Sequence, residues 1–315
     1  MATCGPIVNR SIRAQPGRAA ATDVFESVDV QLHRRSPTEP DPQEEDTETL
    51  NLSPVPDLTF WGVRGSIPTP AAQNLGHGGN TACLTIRYAD QPLLIFDAGT
   101  GIRALGNTPA EFHLFLTHFH WDHIQGIPFF APLQHPDCTA TIHSSADPAA
   151  LESILAAQML PPYYPIAMPR KLVYRQNAPP ATRIGDLIIR PFPLHHPNGA
   201  TGYRIESPDA TIVYASDHEH GNAVADSTLR DHAQNADILI YDAQYTPKEY
   251  EHRQGWGHST WREAVNLARS AHVKQLILFH HDPTRTDQQL DAIVREAQAE
   301  FEPTIAAKEG WSTSL

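Results

Sequence analysis

In the segment THFHWDHIQG, His118, His120, Asp122 and His123 fall within six residues, directly after the apolar run HLFL. In extended chain alternate side chains point the same way, which pairs His118 with His120. One turn then suffices to aim Asp122 and His123 at a second point nearby. Imidazole and carboxylate ligands suit zinc, manganese or iron. Two such ions, roughly 3.5–4 Å apart, can activate a single water for hydrolysis. The alternative reading is a polar loop in a chain that holds 18 histidines.

The elements that must position these residues begin at Asp57. LTFWGV, ACLTIRY, PLLIFD, HLFLTH, TATIH, LIIRPF, TGYRI, TIVYAS, ILIYDA and QLILFH have strand length and β-branched or aromatic content, separated by Gly and Pro turns. Helices are fewer. In STWREAVNLARSAH, Thr260 and Glu263 have capping-box spacing, and Trp261, Ala264, Val265 and Ala268 share one face. A second helix is predicted over about Asp287 to Phe301, burying Leu290, Ile293, Val294, Ala297 and Phe301. A third follows Asp147, with Leu151, Ile154 and Leu155 inward. Many strands with a few amphipathic helices predict two sheets covered outside by helices. No repeat of 20 to 50 residues is visible, which argues against solenoids and propellers.

Composition narrows the class. The 315 residues carry 23 Lys and Arg against 36 Asp and Glu, a formal charge of −13. An acidic chain is poorly suited to gripping nucleic acid through a broad basic face. No apolar run approaches the roughly 20 residues of a membrane helix, so a membrane is not an expected partner. Three scattered cysteines, Cys4, Cys83 and Cys138, form no disulfide framework and suit a reducing, cytoplasmic compartment. Residues 1 to 56, with five basic and nine acidic residues and the stretch SPTEPDPQEEDTETLNLSPVP, read as a disordered tail before one domain at 57 to 315. The first 22 residues, with three arginines and no acid, faintly resemble an organelle transit peptide.

The loop of His118, His120, Asp122 and His123 matches the HxHxDH signature at every position, and here the sequence resembles the metallo-β-lactamase fold superfamily. WGVRGSIPTP, GHGGNTACL, IFDAGTGIRALG, YDAQY, GWGHSTW and LFHHDP resemble its phosphodiesterase and RNase Z-like branch, over about residues 58 to 284. The resemblance implies an α/β fold, an αββα sandwich of two mixed sheets with two divalent metals at one edge. It also implies the remaining ligands. Of His195 and His196 in RPFPLHHPNGATGYRI, His196 directly precedes the Pro, as the ligand does in the related pattern. Asp217 in TIVYASD matches the bridging carboxylate, with a turn-forming Asp as its alternative. QLILFHHDP offers His280 or His281, and His280 is taken. One ion would be held by His118, His120 and His196, the other by Asp122, His123 and His280, with Asp217 between them. Seven ligands leave open positions, as catalytic metals need, whereas a structural zinc is closed by four.

Outside the ligands, Asp97 resembles the aspartate that orients a metal-bound His; its alternative is a helix cap before GTGIRALG. His258 in GWGHSTW matches a His placed beside the scissile phosphate, where it can protonate a leaving oxygen, or it decorates a helix N-cap. Ser66 and Asn80 match positions near the substrate, although Gly-rich turns would look alike. His77, His218 and His220 carry no assigned role. The resemblance implies a binuclear hydrolase with Asp122 and His258 as catalytic groups, acting on a small phosphodiester such as a cyclic nucleotide. An RNase Z-like endoribonuclease acting on tRNA 3′ ends is the second reading. It is disfavoured because residues 124 to 185 carry only Arg170, Lys171, Arg175 and Arg183 against three acids. That insertion instead suggests an apolar helix and a Pro-aromatic loop roofing a pocket, with Tyr163 or Tyr164 stacking on a base or packing on the sheet. Thioester, lactone or β-lactam hydrolysis and a non-catalytic binding role complete the alternatives, and the resemblance also implies a homodimer.

Overall fold

The computed structural model describes residues 55–106, 111–169, 171–177 and 180–315. The tail expected at residues 1 to 56 therefore lies outside the described residues, apart from its last two. The strands are β1 (Asp57–Gly62), β2 (Cys83–Arg87), β3 (Leu93–Phe96), β4 (Glu111–Phe115), β5 (Thr139–Ser144), β6 (Val173–Gln176), β7 (Thr182–Ile184), β8 (Leu187–Leu194), β9 (Ala200–Glu206), β10 (Thr211–Ala215), β11 (Ile238–Asp242), β12 (Gln275–Phe279), β13 (Thr304–Ala306) and β14 (Ser312–Ser314). They form two seven-stranded sheets, ordered β14-β1-β2-β3-β4-β5-β6 and β13-β12-β11-β10-β9-β8-β7. Both are mixed. Strands β3 to β6 are parallel in the first and β10 to β13 in the second, and the remaining pairs are antiparallel.

Alternation along the central strands explains the layering. In β3, Leu94 and Phe96 enter the core between the sheets while Leu93 and Ile95 face the outer layer. In β11, Ile238 and Ile240 face inward while Leu239 and Tyr241 face outward. Strands buried on both faces read as continuous apolar runs. The outer faces are covered by α2 (Pro148–Ala157) on the first sheet, and by α3 (Ala223–Ala233), α5 (Trp261–Ser270) and α6 (Asp287–Glu300) on the second. The short helices α1 (Trp121–Ile124) and α4 (Pro247–Tyr250) lie in loops. The result is the αββα sandwich, and it brings the C-terminal ends of β3, β4, β10, β11 and β12 to one edge. That edge is where ligands gather in α/β folds.

All ten apolar runs become strands. The four strands that pattern did not reveal, β6, β7, β13 and β14, hold three or four residues each and lie at or beside sheet edges. Pairing with a neighbour creates them, because runs so short carry no period of their own. Helix α3, capped by the Asn222 side chain on Ala225 N, was not foreseen either. In α2, Leu151 and Leu155 are buried, but Ile154 is 36% exposed, contrary to expectation. The buried stripe continues to Met159, on the Leu155 side of the helix, which turns Ile154 to the rim. The capping box expected at α5 is half made. Thr260 Oγ1 accepts from Glu263 N at 3.2 Å, while the Glu263 carboxylate takes the Asn266 amide instead.

Complete capping boxes occur at α4, between Thr246 and Glu249, and at α6, between Thr286 and Gln289. Glu249 also receives both Arg285 Nη atoms, at 3.0 and 2.6 Å, and Arg285 reaches on to the Gln244 carbonyl. Burial alone would raise the Glu249 pKa, but the Arg285 bonds and the Thr246 N–H lower it from 4.5 to about 2. A depressed carboxyl pKa stabilises the fold fully above the unfolded value, and the contribution is lost as pH falls toward the folded value. Glu249→Gln is accordingly expected to cost about 1–2 kcal/mol at pH 7, after allowing for solvent screening of a partly exposed pair. Urea unfolding of both proteins should give curves that converge between pH 4.5 and about 2. A gap independent of pH would exclude the charged interaction as its source.

Candidate metal centre

Strand β4 ends at Phe115, and the chain bends at Thr117 before reaching His120, whose extended backbone leads into α1. The His118 and His120 ring centroids lie 4.5 Å apart, and the single turn of α1 swings Asp122 and His123 back beside them. Asp97, immediately after β3, anchors this loop. Its carboxylate accepts from Thr117 N at 2.8 Å, from Thr117 Oγ1, from the Tyr214 hydroxyl at 2.8 Å and from His123 Nδ1 at 2.8 Å. The helix-cap alternative is thereby set aside, since no side chain caps the turn at Thr100–Leu105. Asp97 at φ 58° and His280 at φ 58° are non-glycine residues in the left-handed region. Such conformations cost on the order of 1–3 kcal/mol each and persist where surrounding contacts over-determine them.

The imidazoles are held from behind. His123 gives Nδ1 to Asp97, His196 gives Nδ1 to the Gly257 carbonyl at 2.7 Å, and His280 gives Nδ1 to Gln244 Oε1 at 2.9 Å. Each then presents Nε2 to a common centre occupied by Asp217. Asp217 Oδ2 lies 3.6 Å from His118 Nε2 and 3.5 Å from His196 Nε2, while Oδ1 lies 3.1 Å from His123 Nε2 and 3.3 Å from His280 Nε2. Asp122 Oδ2 stands 3.1 Å from His280 Nε2 and accepts from Ser66 N at 2.6 Å. The ligand atoms fall into two sets, each within 4.8 Å: His118, His120, His196 and Asp217, and Asp122, His123, Asp217 and His280. Asp217 belongs to both, with one oxygen toward each.

Two observations test whether divalent cations suit these residues. His118 Nε2 is buried without a hydrogen-bond partner, and such an orphan is accounted for by an ion. Burial keeps His118 and His196 neutral below the usual imidazole range, so their lone pairs are free to ligate. Burial would raise the carboxyls of Asp122 and Asp217, but the neighbouring His123 and His280 hold both well below their ordinary values. The site thus gathers buried negative charge that only imidazoles offset, with no Lys or Arg paired to either Asp among the described residues. The residues fit two cations.

His258, two residues before the Thr260 cap of α5, donates Nδ1 to Asp242 Oδ2 at 2.8 Å and lies 3.9 Å from Asp217 Oδ2. Burial would lower its pKa, but Asp242, with Asp217 and Asp122 behind, raises it to about 9. Ser66, Trp121, Asp122, Asp217 and His258 line one open cleft of about 400 Å³. Asn80 is placed elsewhere. Its amide is tied to Glu309 at 3.0 Å and its carbonyl takes Val63 N and Arg64 N, so it braces a turn and does not line the cleft. Neither Tyr163 nor Tyr164 lines the metal cleft. Tyr163 is 81% exposed, and Tyr164 packs on Phe129 and donates to the Pro128 carbonyl. His195, His281, His77, His218 and His220 all bond away from the two sets. The sequence reading missed Asp242 and Gln244, which orient His258 and His280. It also missed Glu219, whose carboxylate holds Tyr250 and the Gly255 and Gly257 N–H groups, and through Gly257 supports His196. YDAQY contains the first two, and their position at the end of an apolar run was the available signal.

The profile described as Beta-lactamase superfamily domain matches residues 94–281. The chain belongs to that family, and its fold and site make it a metal-dependent hydrolase. It is 25% identical over 301 residues to the ribonuclease Z of Thermoplasma acidophilum, covering 80% of this chain and 94% of that one. It is 27% identical over 284 residues to the ribonuclease Z of Haloferax volcanii, covering 70% and 83%. Among solved structures it resembles the metallo-beta-lactamase fold protein YhfI of Bacillus subtilis, with a TM-score of 0.66, 21% identity and coverage of 83% and 100%. A diphosphatase of the PhnP family aligns with a TM-score of 0.63 at 20% identity, covering 82% and 98%. No helix among the described residues is long and apolar enough to cross a membrane.

The Asp97–His123 bond generates a prediction. Asp97→Asn keeps the shape but removes the charge that fixes the His123 tautomer, and loss of such a partner typically weakens metal affinity about 10–100-fold. Competition with a chromophoric chelator should reveal one weakened equivalent and one unchanged. Two unchanged equivalents would deny Asp97 this role.

Proposed function

We propose that the protein is a binuclear phosphodiesterase acting on a small phosphodiester, with a cyclic nucleotide as the leading candidate. The observation that carries this reading is the pair of ligand sets sharing Asp217, next to a His258–Asp242 pair in the same open cleft. His118, His120, His196 and Asp217 would hold one cation and Asp122, His123, Asp217 and His280 the other, with zinc or manganese as the expected metals and iron compatible. When bound, such a pair lowers the pKa of a water and offsets charge on phosphoryl oxygens.

The chain supplies the remaining chemistry. Asp122, aimed by Ser66 N, orients the attacking water. The water gives up one proton to solvent, and its oxygen bonds to phosphorus as the ester P–O bond breaks. His258, its Nδ1 fixed on Asp242, gives the proton of its other nitrogen to the departing oxygen, which leaves as an alcohol. This pair favours phosphodiesters over thioesters and lactones, whose branches of the fold generally lack the GHST element. The ribonuclease Z relatives support phosphodiester chemistry. Two features favour a small substrate over tRNA. Among the described residues no Lys or Arg lines the cleft, and after α2 Met159, Tyr164 and Met168 pack against the first sheet. A cytoplasmic location accords with buried, unpaired Cys83 and Cys138.

Metal-loaded protein is expected to hydrolyse bis(p-nitrophenyl) phosphate, and chelation or Asp122→Ala should abolish turnover. His258→Ala should lower kcat about 10²–10⁴-fold for an alkyl leaving group, but much less for p-nitrophenolate, which departs without a proton. Equal losses on both esters would remove His258 from the acid role. No turnover from protein holding both ions would contradict the phosphodiesterase reading.

A further inference from the structure

The metal cleft does not end at the metals. A second hollow of about 260 Å³ shares Phe119 and His120 with it, and a third of about 310 Å³ shares Ser145, Asn198 and Gly199 with the second. Through these shared walls the three hollows adjoin, from Ser66 past His120 to the Pro191–Leu194 end of β8. The two outer hollows are lined by no Asp, Glu, Lys or Arg among the described residues. In a chain with charge −13, an uncharged groove joined to a strongly charged centre has a chemical meaning.

The groove is built by the same turn that carries His196. Gly199 N donates to the His196 carbonyl at 2.9 Å, and Thr201 N to the Thr117 carbonyl at 2.9 Å, which fastens the turn to the end of β4. Asn198 at φ 66° and Gly199 at φ 80° take left-handed conformations, and a Cβ at Gly199 would meet nothing within 4 Å. The backbone is thus fixed while its outer face stays open. Pro191 and Pro193 offer a flat apolar wall there.

Its polar groups have spare capacity of one kind. Asn177 Nδ2 donates to the Tyr203 hydroxyl at 2.7 Å, and that hydroxyl donates in turn to the Leu116 carbonyl, so the Asn177 amide orientation is determined and its Oδ1 has no partner among the described residues. Asn198 Nδ2 lies 3.4 Å from His120 Nε2, and its Oδ1 likewise has no partner among the described residues. Two amide oxygens and the Ser145 hydroxyl beside an apolar wall suit a ring system bearing N–H or O–H donors. They do not suit a second phosphate, which would be desolvated with no cation to meet it.

We infer that this groove binds the uncharged, hydrogen-bond-donating half of the substrate, a nucleoside-sized group, while a single phosphodiester lies over the metals. This rests on the phosphodiesterase reading for the reaction, but the groove can be tested by binding alone. Calorimetry with adenosine, which has no phosphate, should detect binding to the metal-loaded protein, weakened about five- to tenfold in Asn177→Ala, the usual effect of one hydrogen bond. In turnover, Asn177→Ala, which touches no metal ligand, should raise KM for thymidine 5′-(p-nitrophenyl phosphate) by a similar factor with kcat retained. The ratio of kcat/KM between that ester and methyl p-nitrophenyl phosphate should fall with it. Adenosine binding without turnover of either ester would keep the groove and remove the phosphodiesterase reading. Turnover of both esters with no preference for the nucleoside, or an equal effect of Asn177→Ala on both, would overturn the groove and keep the reading.

Discussion

Buried carboxylate charge is the constraint on which the rest of this structure depends. Asp97, Asp122, Asp217 and Asp242 are all nearly inaccessible, and among the described residues imidazoles are their only ion-pair partners. An unpaired buried carboxylate is costly enough that it would ordinarily take up a proton. Here the acids are instead surrounded by His118, His123, His196, His258 and His280, several of which carry their own backing bond to an acid, an amide or a carbonyl. This is an arrangement for concentrating positive charge at Asp217. Two divalent cations satisfy it more fully than imidazolium alone.

The fold supplies the acids and histidines from strand ends that are far apart in sequence. Asp97, His118, Asp217 and His280 follow β3, β4, β10 and β12, Asp242 ends β11, and the two sheets bring those ends to one edge. Close approach then demands glycine at particular points. A Cβ at Gly257, which has φ 88°, would stand 2.3 Å from His196 Nδ1, and one at Gly65 would stand 2.5 Å from the His280 ring. The GWGH and RGS segments are therefore steric requirements of the metal centre, because their backbone lies where a side chain would displace a ligand.

Legibility in the sequence followed how local each feature is. The ten apolar runs became strands because burial on both faces leaves a continuous signature, whereas β13 and β14 exist only through their partners. His118, His120, Asp122 and His123 were legible because one loop carries them all. Asp217, His196 and His280 came from resemblance, and the structure brings all three to the same centre. Bonds behind the ligands had no sequence spacing to betray them: Gln244 reaches His280 across 36 positions and Gly257 reaches His196 across 61. The same limit explains Asn80, whose motif lies near the centre while its side chain turns to Glu309.

The central claim is that Asp217 stands between two cations. Anomalous scattering at the zinc edge from crystals of zinc-loaded protein tests it most directly. Two peaks are expected, one among His118, His120 and His196 and one among Asp122, His123 and His280, each in contact with a different Asp217 oxygen. A single peak, or peaks outside these sets, would contradict the account.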